Sequence, residues 1–246
     1  MRITILTLLL CNLLITACSG GTEKTSGKTT IATSEIGLEI SAQVFQSGAS
    51  TISVFIKKQG TSSQVILKLG GGDQLTLMVD GTENPLEEIF EPANLFTGNT
   101  QDYYYYRLSF TEDISRRDMT LLFSRPDAQD AESPVQFGTP PDIITPLPSD
   151  VFSVSTDDIY VTFPPNTTGP DSMTTFISDS CRREVSDTNP LTTTLILHPT
   201  TYNCASNTAH IRISRSWYPA IAPTLNQTLS YTRTRINKQI TLQYFP

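Results

Sequence analysis

The strongest constraint on this chain is a period of two. Leu38, Ile40, Ala42 and Val44 alternate with Glu39, Ser41 and Gln43, and Ile52, Val54 and Ile56 repeat the pattern after a Ser47-Gly48-Ala49-Ser50 turn. Successive side chains of a strand point to opposite faces, so such runs bury one face and wet the other. Residues 65–69, 75–79, 103–110 and 119–123 continue the series, and Asp80-Gly81 carries the type I′ hairpin signal. Gly70-Gly71-Gly72-Asp73 is expected to join the third and fourth strands as a hairpin. Residues 82–101 are acidic and broken by Pro85 and Pro92; they are expected to be irregular, with one helical turn at 86–90. No long amphipathic helical period follows the first 17 residues.

Residues 125–134 (RPDAQDAESP) are polar and bounded by prolines, which predicts a linker. Beyond it, strand candidates fall at 152–154, 159–163, 173–181, 191–197, 208–214, 228–233 and 239–244. Seven strands in about 110 residues is the size of an immunoglobulin-like sandwich, although no Trp stands between the two cysteines there. The expected fold class is therefore all-β: two tandem β-sandwich domains, 35–124 and 135–246, the second immunoglobulin-like in size and strand count.

The first 17 residues belong to a different regime. Arg2 precedes an uncharged apolar run that ends near Ile15, too short to cross a bilayer core of ~30 Å comfortably at ~1.5 Å per residue. Small residues and a Ser/Gly/Thr stretch follow, the layout of a signal peptide. Ile15-Thr16-Ala17-Cys18 resembles the lipobox of bacterial lipoproteins. That resemblance implies cleavage before Cys18, a diacylglycerol thioether on its sulfur, and an acyl group such as palmitate on its new amino terminus. It also implies an outer-membrane lipid anchor, since Ser19 follows the cysteine rather than an aspartate. Several acyl chains anchor stably where one binds reversibly. An ordinary signal peptide with Cys18 as a plain thiol is the alternative. Residues 18–34 (CSGGTEKTSGKTTIATS) are expected to be a flexible tether. The partners expected are membrane lipid through acylated Cys18 and an envelope protein or glycan, facing either the periplasm or the exterior.

The chain has 246 residues and a net charge of −7, which becomes −8 when Arg2 leaves with the signal peptide. Its basic residues are scattered apart from Arg182-Arg183 and the Arg233/Arg235 pair, expected to be solvated strand faces. Phosphate binding needs clustered Lys and Arg, so nucleic acid is not an expected partner. Cys181 and Cys204 are the cysteines that remain outside the leader besides Cys18. In an exported chain two such residues favour a disulfide. A metal site is the rival, but there is no CxxC and no histidine at ligand spacing from both thiols.

Four patches invite functional readings. Tyr103-Tyr104-Tyr105-Tyr106 places tyrosines on both faces of one strand; Tyr104 and Tyr106 are candidates for stacking against a sugar or peptide, with cross-strand packing as the plainer explanation. Trp217-Tyr218-Pro219 is expected in a loop, as a contact hot spot or as a cap folded onto the sandwich. Gly70-Gly71-Gly72 lacks the Gly-Lys-Ser/Thr of a phosphate loop. Asp73, Asp80, Glu83, Asp157 and Asp158 offer calcium-type oxygens without the spacing of a calcium loop, and Asx turns account for them. His198 and His210 are the available imidazole bases, and no G-x-S-x-G, HExxH or Ser-x-x-Lys motif accompanies them. No catalytic residue, metal or cofactor is expected. The expected function is non-enzymatic interaction in the envelope, the alternative a carbohydrate- or peptide-binding module, and a carboxylate-only hydrolase the remote third.

Overall fold

A computed structural model of the chain describes residues 23–26, 30–61, 63–92, 103–153, 156–166, 172–178, 183–198 and 208–245. Cys18, Cys181 and Cys204 lie outside these residues, so the lipidation and disulfide expectations do too. The described residues form sixteen strands and one 3₁₀ turn, Thr33–Glu35. The strands are β1 (Ile36–Val44), β2 (Ser50–Gln59), β3 (Gln64–Leu67), β4 (Gln74–Val79), β5 (Thr82–Pro85), β6 (Glu87–Glu91), β7 (Tyr103–Phe110), β8 (Met119–Ser124) and β9 (Ala131–Pro134). They continue with β10 (Val151–Ser153), β11 (Ile159–Thr162), β12 (Ser172–Ser178), β13 (Arg183–Thr188), β14 (Thr194–Leu197), β15 (Thr208–Trp217) and β16 (Tyr231–Phe245). The molecule is all-β, in sandwich-like layers.

One long sheet organises it. Its order is β13-β12-β15-β16-β1-β2-β7-β6, with β3 added beside β2 and β10 beside β16. Two smaller sheets, β5-β4-β8-β9 and β11-β14, complete the layering. Alternation does the sorting. Ile36, Leu38, Ile40, Ala42, Ile52, Val54 and Ile56 of the long sheet pack with Leu75, Leu77, Met119, Leu121 and Phe123 of the four-stranded one. Ile211, Ile213, Ile240 and Leu242 pack with Ile159, Val161 and Leu197 of the two-stranded one. Each Val, Leu, Ile, Met or Phe side chain among them, fully buried, contributes about 1.5–3 kcal/mol.

The two cores are joined through backbone. β16 runs antiparallel to the whole of β15 and parallel to β1, with Glu39 opposite Tyr231 and Val44 opposite Ile236. Val44, Trp217 and Ile236 form a third cluster at this seam, packed by Phe137. Ala222 and Leu225, late in the chain, pack into the first core.

Several expectations are corrected. The 125–134 segment is not a free linker: Ala131–Pro134 is strand β9 on β8, and Arg125 is buried. β3 and β4 do not pair; the chain passes from the long sheet to the small one between them. Asp80-Gly81 does make a two-residue hairpin, both residues at positive φ, between β4 and β5. Residues 87–91 are strand β6, not a helical turn, because β7 supplies a pairing edge. Residues 228–233 and 239–244 are not separate strands: 231–245 is the single strand β16, kept continuous by the equally long β15. β13 was not expected at all.

The expected tether is also partly folded. Lys24 bridges Lys68, Thr25 N–H donates to the Lys68 carbonyl and Lys68 N–H to the Glu23 carbonyl. Ser26 donates to Asp73 at 2.7 Å. The Asp73 carboxylate meets Arg125 at 3.2 Å with both side chains essentially shielded from water, 1% and 0% exposed. Arg125 also donates to the Thr25 carbonyl and to Thr33 Oγ1. Gly70 is required here: a Cβ would stand 2.2 Å from the Ser26 carbonyl oxygen.

Candidate functional site: the open face of the long sheet

The face of the long sheet that turns away from the cores carries the even-numbered positions of β12 and β15 and the odd-numbered positions of β16, β1, β2 and β7. Register aligns them in rows. Phe176 lies opposite Arg212, which lies opposite Gln239. Thr174, Ser214 and Asn237 form the next row, then Ser216, Arg235, Gln43 and Thr51. Further across come Arg233, Ser41, Ser53 and Arg107. Ser41, Arg107, Ser109, Arg212 and Gln239 are exposed. Eight strands at ~4.8 Å spacing make this face about 34 Å wide.

Over its β12–β15–β16–β1 part lies a groove of about 770 Å³, with Gln43, Phe45, Phe176, Arg212, Arg235 and Gln239 in its lining. Phe45 and Val185 at its rim are 41% and 64% exposed. The Arg212 guanidinium stacks 4.8 Å above the Phe176 ring. Arg235 donates to Ser216 Oγ. Burial, followed by the like charge of Arg233, with Arg212 adding to it, lowers its pKa from the ordinary arginine value. An arginine still keeps its proton. Arg212, Arg233 and Arg235 have no carboxylate at ion-pair distance among the described residues. Three positive charges therefore share one face of a molecule whose net charge is −7.

The tyrosine strand occupies the other end. It alternates as expected: Tyr104 and Tyr106 turn to the core side, Tyr103 and Tyr105 to the open face. Tyr106 is buried in the first core, where its oxygen accepts the Leu69 N–H at 2.7 Å, and burial raises its pKa strongly. Tyr104 is half-buried, its ring 4.9 Å from Phe90 and 4.8 Å from the Lys68 ammonium. Tyr103 and Tyr105 both donate to Glu91 and pack on Phe55 at 5.9 and 5.4 Å. Those two hydroxyls, Tyr103 first, hold the Glu91 carboxyl below its usual range. These rings serve each other, and Tyr106 is not available to a ligand.

Trp217 is corrected too. It ends β15 rather than sitting in a loop, and it is 5% exposed in the seam cluster. Its neighbour Tyr218 is 47% exposed, with the Arg233 guanidinium 6.0 Å from its ring centre. The acidic turn residues are otherwise engaged: Asp80 takes Arg117 and the Asp118 N–H, and Asp157 accepts the Ser153 N–H. His198 pairs with Asp158 at 3.0 Å on the surface, and His210 contacts Thr241. Among the described residues no group of three His, Cys, Asp or Glu forms a metal site, and no helix is long and apolar enough to cross a membrane.

Of the groove residues the sequence singles out only Arg235, in the Arg233/Arg235 pair, because the lining is gathered from β1, β12, β13, β15 and β16, which are far apart along the chain. The usable signal was the arginines and glutamines at outward positions of these strands.

No protein-family model and no curated protein matches the chain. Among solved structures it is similar to a chain of a 1.5-MDa bacterial ice-binding adhesin, described in connection with host cell surface retention. The identity is 12% and the TM-score 0.26, with 85% of this chain and 64% of that chain covered. This chain thus spans less than two thirds of that one, and a likeness of this degree carries no inference about activity.

Proposed function

We propose that this chain is a lipid-anchored protein of the bacterial envelope that works by binding a partner on the open face of its long sheet. The observation that carries the reading is that face. It is wide, held rigid by a continuous ladder, and furnished with arginines, amides and aromatic rings rather than with a catalytic pair. The anchor is the acylated Cys18 of the lipobox-like Ile15-Thr16-Ala17-Cys18, and Ser19 favours the outer membrane. Docking of residues 23–26 shortens the attachment. Five residues separate Cys18 from Glu23, a reach of at most roughly 18 Å, against roughly 60 Å for a tether running to residue 34. The fold is therefore held close to the bilayer surface.

Two experiments test this. Cys18→Ser should release the protein from the envelope in cell fractionation and shift its migration; retention with unchanged migration would overturn the anchor. A photocrosslinker placed at Ser41 or Ser109 of the open face should capture a partner in intact cells. One placed at Glu132 of β9 should not, and equal capture from both would overturn the assignment of the face.

A further inference from the structure

The chemistry of the groove narrows what it takes. We infer that the groove over β12, β15, β16 and β1 binds a glycan bearing carboxylates, with Arg212 and Arg235 as the carboxylate-binding residues. This rests on the open face being the binding face.

Four observations converge. First, among the described side chains the groove arginines have no carboxylate at ion-pair distance, in an acidic protein. A guanidinium offers a planar fork that matches a carboxylate bidentately, and the crowding of Arg233, Arg235 and Arg212 is relieved by an incoming anion. Second, each arginine faces an amide across the ladder: Arg212 opposite Gln239, Arg235 opposite Gln43. Amides both donate and accept, as sugar hydroxyls do. Third, the two arginine–amide pairs are offset by four residues along the strands, roughly 13 Å. That backbone offset suits an extended oligosaccharide with repeated charges. Fourth, β12, β15, β16 and β1 are each paired on both sides. A peptide adding as a strand finds open ladder positions there only at the short 237–242 stretch of β16, which pairs with β15 alone. A nucleic acid strand would meet only Phe45 and Phe176 as stacking rings.

The test uses the full-length chain purified in detergent. It is titrated with a uronic-acid hexasaccharide, with the same hexasaccharide reduced to its neutral alcohol form, and with a single-stranded hexanucleotide. The acidic glycan should bind, the reduced one about tenfold or more weakly, with the acidic complex weakening as salt rises. Arg212→Gln and Arg235→Gln should each weaken acidic-glycan binding about tenfold, as expected for loss of a charged contact. Arg117→Gln, which disturbs a surface ion pair elsewhere, should leave it unchanged. Retained circular dichroism and melting temperature show that the variants fold. Equal binding of charged and neutral glycans, preference for the oligonucleotide, or no binding of the acidic glycan would each overturn the inference. If that happens while crosslinks from Ser41 persist, the open face remains the binding face and only the ligand class falls.

Discussion

Arg125 and Asp73 show what a single pair of residues does in this fold. Their ion pair is buried, and Ser26 and Thr33 share its hydrogen bonds. Breaking such a pair leaves a lone charge away from water, which costs about 3–5 kcal/mol. Arg125→Ala should therefore lower stability by that amount in urea unfolding. The double change Arg125→Met with Asp73→Leu should recover most of the loss, since no charge is then stranded; a double variant as unstable as the single one would refute this. The pair was not legible in the sequence. Asp73 is a plausible turn residue and Arg125 a plausible linker residue, and nothing local relates positions 52 apart. Tyr106 gives a second prediction. Its folded pKa lies well above the usual 10, so between those values the unfolded state binds fewer protons than the native one. Stability then falls as pH rises above about 10. Tyr106→Phe should flatten that slope in denaturant melts across the alkaline range. It should also cost about 1–3 kcal/mol at neutral pH, because the Leu69 N–H loses its acceptor.

At the scale of elements, what was legible was strand existence, and what was not was strand partnership. The period of two correctly placed β1, β2, β4, β8 and β11, because each buries one face only. It left a gap at 234–238 in β16, where the core-facing series is Thr232, Thr234, Ile236, Lys238 and Ile240. Two hydroxyls and one ammonium on the inner face weaken an apolar signal that pairing with β15 makes unnecessary. It also missed the docked segment at 23–26, four polar residues whose strand-like bonds are satisfied by Lys68 rather than by any pattern of their own. Gly70 is the hinge of that docking. Gly70→Val would drive a side chain into the Ser26 carbonyl and should expel the segment. The Lys68 and Thr25 amides should then exchange with deuterium faster, and trypsin should gain access to Lys24. Unchanged protection at Lys68 would mean that the segment contributes nothing to the edge of the sheet.

At the scale of the molecule, the parallel β1–β16 ladder turns two cores into one cooperative system. Folding of the first half is incomplete until the last strand arrives, since β1 lacks one ladder partner and the first core lacks Ala222 and Leu225 until then. The seam holds the chain's one tryptophan, so its fluorescence reports on the joint itself. If the ladder couples the halves, Trp217 emission and far-UV circular dichroism should follow a single coincident transition in denaturant. Trp217→Phe should shift that transition without splitting it. Trp217→Ala should cost about 3–5 kcal/mol through the cavity it leaves and should lower the midpoint for both halves together. Two resolved transitions in the unaltered protein would mean that the halves unfold independently. The open face would then be two adjacent surfaces, and the row Ser216–Arg235–Gln43, which crosses the β15–β16–β1 boundary, would lose the rigidity that a shared sheet gives it.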